Sequence, residues 1–169
     1  MRELKATKIN AADFAPFGTF FSMTEPEGYP LQGEIHKFYP DRISGTCMGS
    51  IGFSPIAVHK DERIVKAAEY HTTTWEGIVA LDDDMIIHVA PASAGAPVPE
   101  LTRAFIVPKG TMVKINTAIW HLCPLPLNNE VLHAMIPPAI FARPPCNARP
   151  TVTPAVPSSA AIEDSLTPK

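Results

Sequence analysis

Gly77 to Ala90, GIVALDDDMIIHVA, is the stretch that decides the fold class. Two apolar runs rich in Ile and Val flank three aspartates, and each run is too short for a helix with a full apolar stripe. Short β-branched runs bounded by turn-forming residues are the mark of strands. The pattern recurs at AFIVP (104–108), Lys109-Gly110 and TMVKIN (111–116). Both stretches read as hairpins, with Asp82 to Asp84 and Lys109-Gly110 as turns and sequential antiparallel pairing of the flanking strands.

Outward from these, further runs continue the theme: GTFFSM from Gly18, CMGSIGFSPIAV from Cys47, RIVKAAEYH from Arg63, AIWHL from Ala118 and EVLHAMI from Glu130. Strands at this spacing, broken by Pro, Gly and Asp, predict an all-β sandwich or barrel. One short helix precedes them, because Asn10 is a good N-cap, Asp13 follows at the third helical position, and Pro16 and Gly18 stop it. No repeat of solenoid or propeller length is present.

The chain has 169 residues and 46% apolar content, enough for one packed core, and we place a single barrel domain over residues 1–140. Residues 141–169 change to Pro, Ala, Ser and Thr with few large apolar side chains, which predicts a mobile tail or an arm laid on a neighbouring subunit. A net charge of −3 without any Lys/Arg cluster argues against nucleic acid and anionic membrane surfaces as partners. No apolar run approaches membrane-span length and the N-terminus lacks a signal-peptide core, so the expected setting is cytoplasmic. Cys47, Cys123 and Cys146 are odd in number and widely spaced, as suits reduced packing thiols.

Chemistry concentrates in EYHTTTWE, Glu69 to Glu76. Residues two apart on a strand share a face, so Glu69 and His71 point one way and Tyr70 the other, while Glu76 opens the next strand beside them. Further on, the turn Pro108-Lys109-Gly110 precedes a strand, and His121 arrives eleven residues after the Gly. In a closed antiparallel barrel His121 can meet the first group. The plainer alternatives are a solvent-facing carboxylate at Glu69, core histidines satisfied by carbonyls at His71 and His121, and a strand-start ion pair at Glu76. Trp120 faces away from His121 and reads as packing. His88 and His133 are lesser candidates for the cavity, and Cys123 lacks the electropositive setting of a nucleophile. The run Asp82 to Asp84 lacks the ligand spacing of a calcium loop.

Glu-x-His-x4-Glu followed by Pro-x-Gly and a distant His resembles the two motifs of the cupin superfamily, with Glu69 standing where the first His usually is. AEYHTTTWEGIVALDDDMIIHVAPA (68–92) followed by LTRAFIVPKGTMVKINTAIWHLCPL (101–125), with the opening INAADFAPFGTFFS, is more narrowly similar to the ureidoglycolate lyase (ureidoglycolate hydrolase) family. The resemblance implies a cupin-type jelly-roll barrel. It also implies a divalent transition metal (Ni, Mn, Fe or Zn) held by Glu69, His71, Glu76 and His121, a mixed O/N set that suits such ions better than Mg or Ca. The implied activity is elimination of urea from ureidoglycolate, a step of allantoin degradation in purine metabolism, with His71 and His121 taking part. Glu76 replaces the family's usual Gln and is our choice for proton transfer. Lys37, Tyr39 and Arg42 in HKFYPDR are the candidates for gripping a small-molecule carboxylate substrate, Arg offering a bidentate fork. Cupin barrels commonly pair, so a homodimer is the expectation. The alternatives are a cupin lyase or isomerase acting on another hydroxy or sugar acid, and a noncatalytic cupin that binds a small ligand.

Overall fold

The computed structural model describes residues 2–46, 51–137 and 160–164, and within them the chain is nearly all β. The early strands are β1 (Arg2–Lys8), β2 (Gly18–Ser22), β3 (Leu31–Gln32), β4 (Lys37–Phe38), β5 (Ser54–His59) and β6 (Ile64–Val65). Then follow β7 (Glu76–Ala80), β8 (Met85–Ala90), β9 (Arg103–Val107), β10 (Thr111–Ile115), β11 (Trp120–His121), β12 (Leu125–Pro126), β13 (Val131–Ile136) and β14 (Ala160–Asp164). The predicted helix is α1 (Ala11–Phe14), and Asn10 caps it through its side-chain oxygen, which accepts from the Asp13 N–H at 3.0 Å.

One sheet runs β11-β8-β9-β1-β14-β6, with β12 also on β8; the other runs β2-β10-β7-β13-β5, and β3 with β4 forms a separate ribbon. Pairing is antiparallel except where β1 lies parallel to β9 and to β14. The core fills the space between the two large sheets: Ile78 and Ala80, Met85, Ile87 and Val89, Phe105 and Val107, Val113 and Ile115, Leu132 and Ala134, closed by Phe14 and Phe17. These positions alternate along each strand, as a two-layer β core requires. A second apolar cluster, with Leu4, Ala6, Ile86, Ala104 and Ile106, covers the opposite face of the first sheet. That explains why MIIHVA reads as an unbroken apolar run: every residue of β8 is buried.

The expected hairpins do not form. β7 pairs with β10 and β13, whereas β8 pairs with β9, β11 and β12, so the three aspartates carry the chain from one sheet to the other. Likewise Lys109-Gly110 crosses back from β9 to β10. Two apolar runs around a turn satisfy a crossover between facing sheets as well as a hairpin, because both bury one face of each run. Contacts distant in sequence decide the matter. Asp82 takes the His133 backbone N–H, Asp83 takes the backbone N–H groups of Asn128 and Asn129 at 2.9 Å each, and Asp84 takes the Lys109 N–H at 2.8 Å. The three turns are thereby tied together at one end of the barrel. Among the described residues β5 is the outer strand of the second sheet, and it carries Pro55, a residue suited to an edge because it lacks a backbone donor.

Residues 160–164 of the expected tail pair as a strand between β1 and β6 of the first sheet; the remainder of 141–169 lies outside the described residues, as do Cys47 and Cys146. No helix among the described residues is long and apolar enough to cross a membrane.

Asp83 is 5% exposed, and although burial pushes its pKa up, the hydrogen bonds of Asn129 and Asn128 outweigh this and hold it below the usual carboxylate range. Asp83→Ala should therefore lower the unfolding free energy by about 2–4 kcal/mol in urea titrations near neutral pH. A folded-state pKa below the unfolded one stabilises above the unfolded value. The gap between wild type and variant should thus shrink as pH falls below about 4.

Candidate metal centre

The site lies at the other end of the barrel, where β7 begins and β8 ends. Glu76 opens β7 on the same face as Ile78 and Ala80 and is therefore turned inward. His121, paired with inward-facing Val89, enters from β11. Glu69 arrives by a single antiparallel bridge to His121, in which the Glu69 N–H donates to His121 O at 2.6 Å and the His121 N–H to Glu69 O at 2.8 Å. The expected strand through EYH is thus one bridge, yet it sets the predicted alternation: Tyr70 stacks edge-on against Trp120 at 4.5 Å while its neighbours serve the cluster. His71 is held by the loop after β10, the Ala118 N–H donating to its carbonyl at 2.7 Å.

Glu69, His71, Glu76 and His121 each present one donor atom, all within 4.8 Å of one another. Metal–N and metal–O bonds of about 2.0–2.2 Å place opposed donors about 4.2 Å apart, so a small contraction suffices to close the set on an ion. His71 Nε2 lies 2.9 Å from Glu76 Oε2, and His121 Nε2 lies 3.5 Å from Glu76 Oε1. His121 Nδ1 donates to the Ile119 carbonyl at 2.8 Å, since a carbonyl can only accept. Its Nε2 is buried, has no hydrogen-bond partner, and faces Glu76 Oε1. A buried imidazole nitrogen without a hydrogen-bond partner, aimed at carboxylates, is a place where a metal cation fits, and a carbonyl holding the far nitrogen is how metal-binding imidazoles are oriented. These four residues can hold a metal ion.

The charges agree with that assignment. Burial pushes the Glu76 pKa up, but the neighbouring imidazoles of His121 and His71 prevail and hold it down at about 2. The hydrogen bond to Glu76 raises the pKa of His71 against burial, with the charges of Glu76 and Glu69 adding to the rise. Glu69, His71 and Glu76 are half-buried and His121 is 2% exposed, so the cluster has a closed floor and an accessible rim.

The other sequence candidates lie elsewhere. Lys37 and Tyr39 line a surface cavity of about 390 Å³ with Phe21, Met23 and Phe38, which shares no residue with the cluster. Arg42 spends its guanidinium on the carbonyls of Pro40 and Glu27, at 3.2 and 3.0 Å. Among the described residues no hydrogen bond or ion pair joins these three to the four donors. His88 points away from the core between the sheets, alternating with Ile87 and Val89; both ring nitrogens lack partners, and burial, helped by His121, pushes its pKa down to about 4. His133 sits exposed against Asp82. Burial raises the Cys123 thiol, as expected of a packing residue. Sequence reasoning missed Ala118 and Ile119. Ala118 adopts φ 67, a left-handed conformation that an alanine does not advertise, and the role of Ile119 is played by its backbone.

No protein-family model matches the chain, and no curated protein matches it.

In metal-free protein, the raised pKa of His71 stabilises the fold most below its unfolded value of about 6.5, and that contribution is lost as pH rises through the folded value. Thermal unfolding of chelator-treated protein should therefore show a fall in Tm on the alkaline side of pH 6.5. His71→Gln should remove that component.

Proposed function

We propose that this chain is a ureidoglycolate lyase-like enzyme of the cupin type, which eliminates urea from ureidoglycolate to give glyoxylate with a divalent transition metal at Glu69, His71, Glu76 and His121. One observation carries the proposal: the buried Nε2 of His121, without a hydrogen-bond partner, is aimed into a four-donor cluster with an accessible rim. The order of the blocks EYH, VAPA, AF and WH along the chain supports the substrate class by resemblance.

Bound Ni, Mn, Fe or Zn would supply Lewis acidity, lowering the pKa of the substrate hydroxyl. Glu76 is ionised across the neutral range and accepts the hydroxyl proton. The oxygen electron pair becomes the carbonyl of glyoxylate as the carbon–nitrogen bond breaks, and Glu76 returns the proton to the departing urea nitrogen. Atoms balance without water. His71, hydrogen-bonded to Oε2, keeps the Glu76 carboxylate turned toward the rim, and His121 Nε2 faces the other oxygen from the floor at 3.5 Å.

A second reading has its own support, because Glu76 stands where the resembling family has Gln. An added base suits enolisation, so a lyase or isomerase acting on another small hydroxy or sugar acid uses the same residues. Turnover of ureidoglycolate against a panel of such acids, with glyoxylate and urea as products, separates the two; release of glyoxylate from ureidoglycolate alone is the expected result. Glu76→Gln, compared with wild type at matched metal loading, should lower kcat by about 100-fold or more. Unchanged turnover would remove Glu76 from the proton path. Dialysis against a chelator should abolish activity and metal addition should restore it, whereas full activity of metal-free protein would overturn the metal role.

A further inference from the structure

We infer that Lys114, on the outside of the barrel, is a positioning residue for the metal centre: through Trp75 it fixes the start of β7 and with it the carboxylate of Glu76. The inference rests on the metal reading above and extends it to a residue that touches none of the four donors.

Glu76 is the first residue of β7, where it pairs with Ile115, and the connection before it, Thr72 to Trp75, belongs to no strand. A strand end preceded by a loop frays unless something holds it. Consecutive residues on a strand face opposite ways, so with Glu76 turned into the barrel, Trp75 lies outside. Lys114 is the cross-strand partner of Gly77 and lies on the outer face, since its neighbours Val113 and Ile115 belong to the inner core. From there its Nζ sits 5.4 Å from the centre of the Trp75 ring and donates to the Ser44 carbonyl at 2.6 Å. One ammonium thus joins the indole to the Ser44-Gly45 segment.

The fit on the loop side is close. A Cβ added to Gly45 would fall 2.3 Å from Trp75 Nε1, so only a glycine lets this backbone lie against the indole. The indole Nε1 is buried there without a hydrogen-bond partner, so packing and the Lys114 charge, not its own hydrogen bond, hold the ring. Gly77 is equally confined, a Cβ there meeting the Pro137 carbonyl at 2.5 Å. Outer face, loop and neighbouring strand therefore converge on the two residues flanking Glu76. Glu76 must present both oxygens at once, one to His71 and one to His121. A small rotation of the strand start would break that arrangement.

The test is metal affinity of the full chain, measured by titrating Ni2+ against a competing chelator, with the absorption spectrum of bound Co2+ as a readout of ligand geometry. Lys114→Met keeps the stem but loses the charge and the donor; it should weaken Ni2+ binding about tenfold and change the Co2+ bands. Lys114→Arg should recover both, because a guanidinium retains the charge over the ring and the bond to Ser44. Gly45→Ala, which displaces the indole from the loop side, should weaken binding in the same direction and decides the matter if Lys114→Met fails to fold. Wild-type affinity and an unchanged Co2+ spectrum in folded Lys114→Met or Gly45→Ala would overturn the positioning role while leaving the metal centre standing. A wild-type chain that binds neither ion would overturn the metal reading itself.

Discussion

The pair of backbone hydrogen bonds between Glu69 and His121 is the constraint on which the site depends. The two lie 52 positions apart in sequence, and β8 is paired with β9 from Met85 to Val89 independently of them. The bridge brings a loop that has no strand of its own against a two-residue strand, and it sets which side chains look inward. Once Glu69 and His121 share a face, Tyr70 and Trp120 must share the other, where they stack, and the indole N–H of Trp120 finds Ser93 at 2.9 Å. Aromatic packing outside thus secures ligand placement inside.

That logic was legible in the residues to the extent that it rests on alternation. The alternating runs marked an all-β chain, and the two-residue period assigned Glu69, His71 and Tyr70 to their faces. Asn10 declared the helix start and Gly110, at φ 73, the turn. Partner choice was not legible. GIVAL and MIIHVA look like the arms of a hairpin because local sequence records which face is apolar and says nothing of which sheet receives it. The deciding contacts, Asp83 with Asn128 and Asn129 and Asp84 with Lys109, join positions 25 to 46 residues apart. The functional groups of Lys37, Tyr39 and Arg42 suit a carboxylate, and a functional group does not reveal that Arg42 gives its Nε and Nη1 to two carbonyls.

The electrostatics of the cluster explain how it survives folding. Two half-buried carboxylates within 4.8 Å repel each other, and neutral imidazoles offer little relief. A proton on His71 supplies positive charge, which is the physical content of its raised pKa, and His121 together with His71 holds the Glu76 pKa down. A divalent cation on the same four atoms would supply more charge and would also give the buried Nε2 of His121 a partner. Proton and metal would thus compete for one set of donors.

The two ends of the barrel divide the work on the same principle. At one end three consecutive aspartates face backbone N–H groups of two turns and of β13, so negative charge there is met by main-chain donors. At the other end the carboxylates of Glu69 and Glu76 meet no backbone donor among the described residues, and their neighbours are imidazoles. Carboxylates satisfied by the main chain become structure, while carboxylates left to face side chains keep an unmet demand for positive charge. Two such groups beside two imidazoles make a cluster that can hold a metal ion. The rigid end makes that placement durable, because β7 and β8 are anchored at the aspartates and present Glu76 and the partner of His121 from their opposite ends.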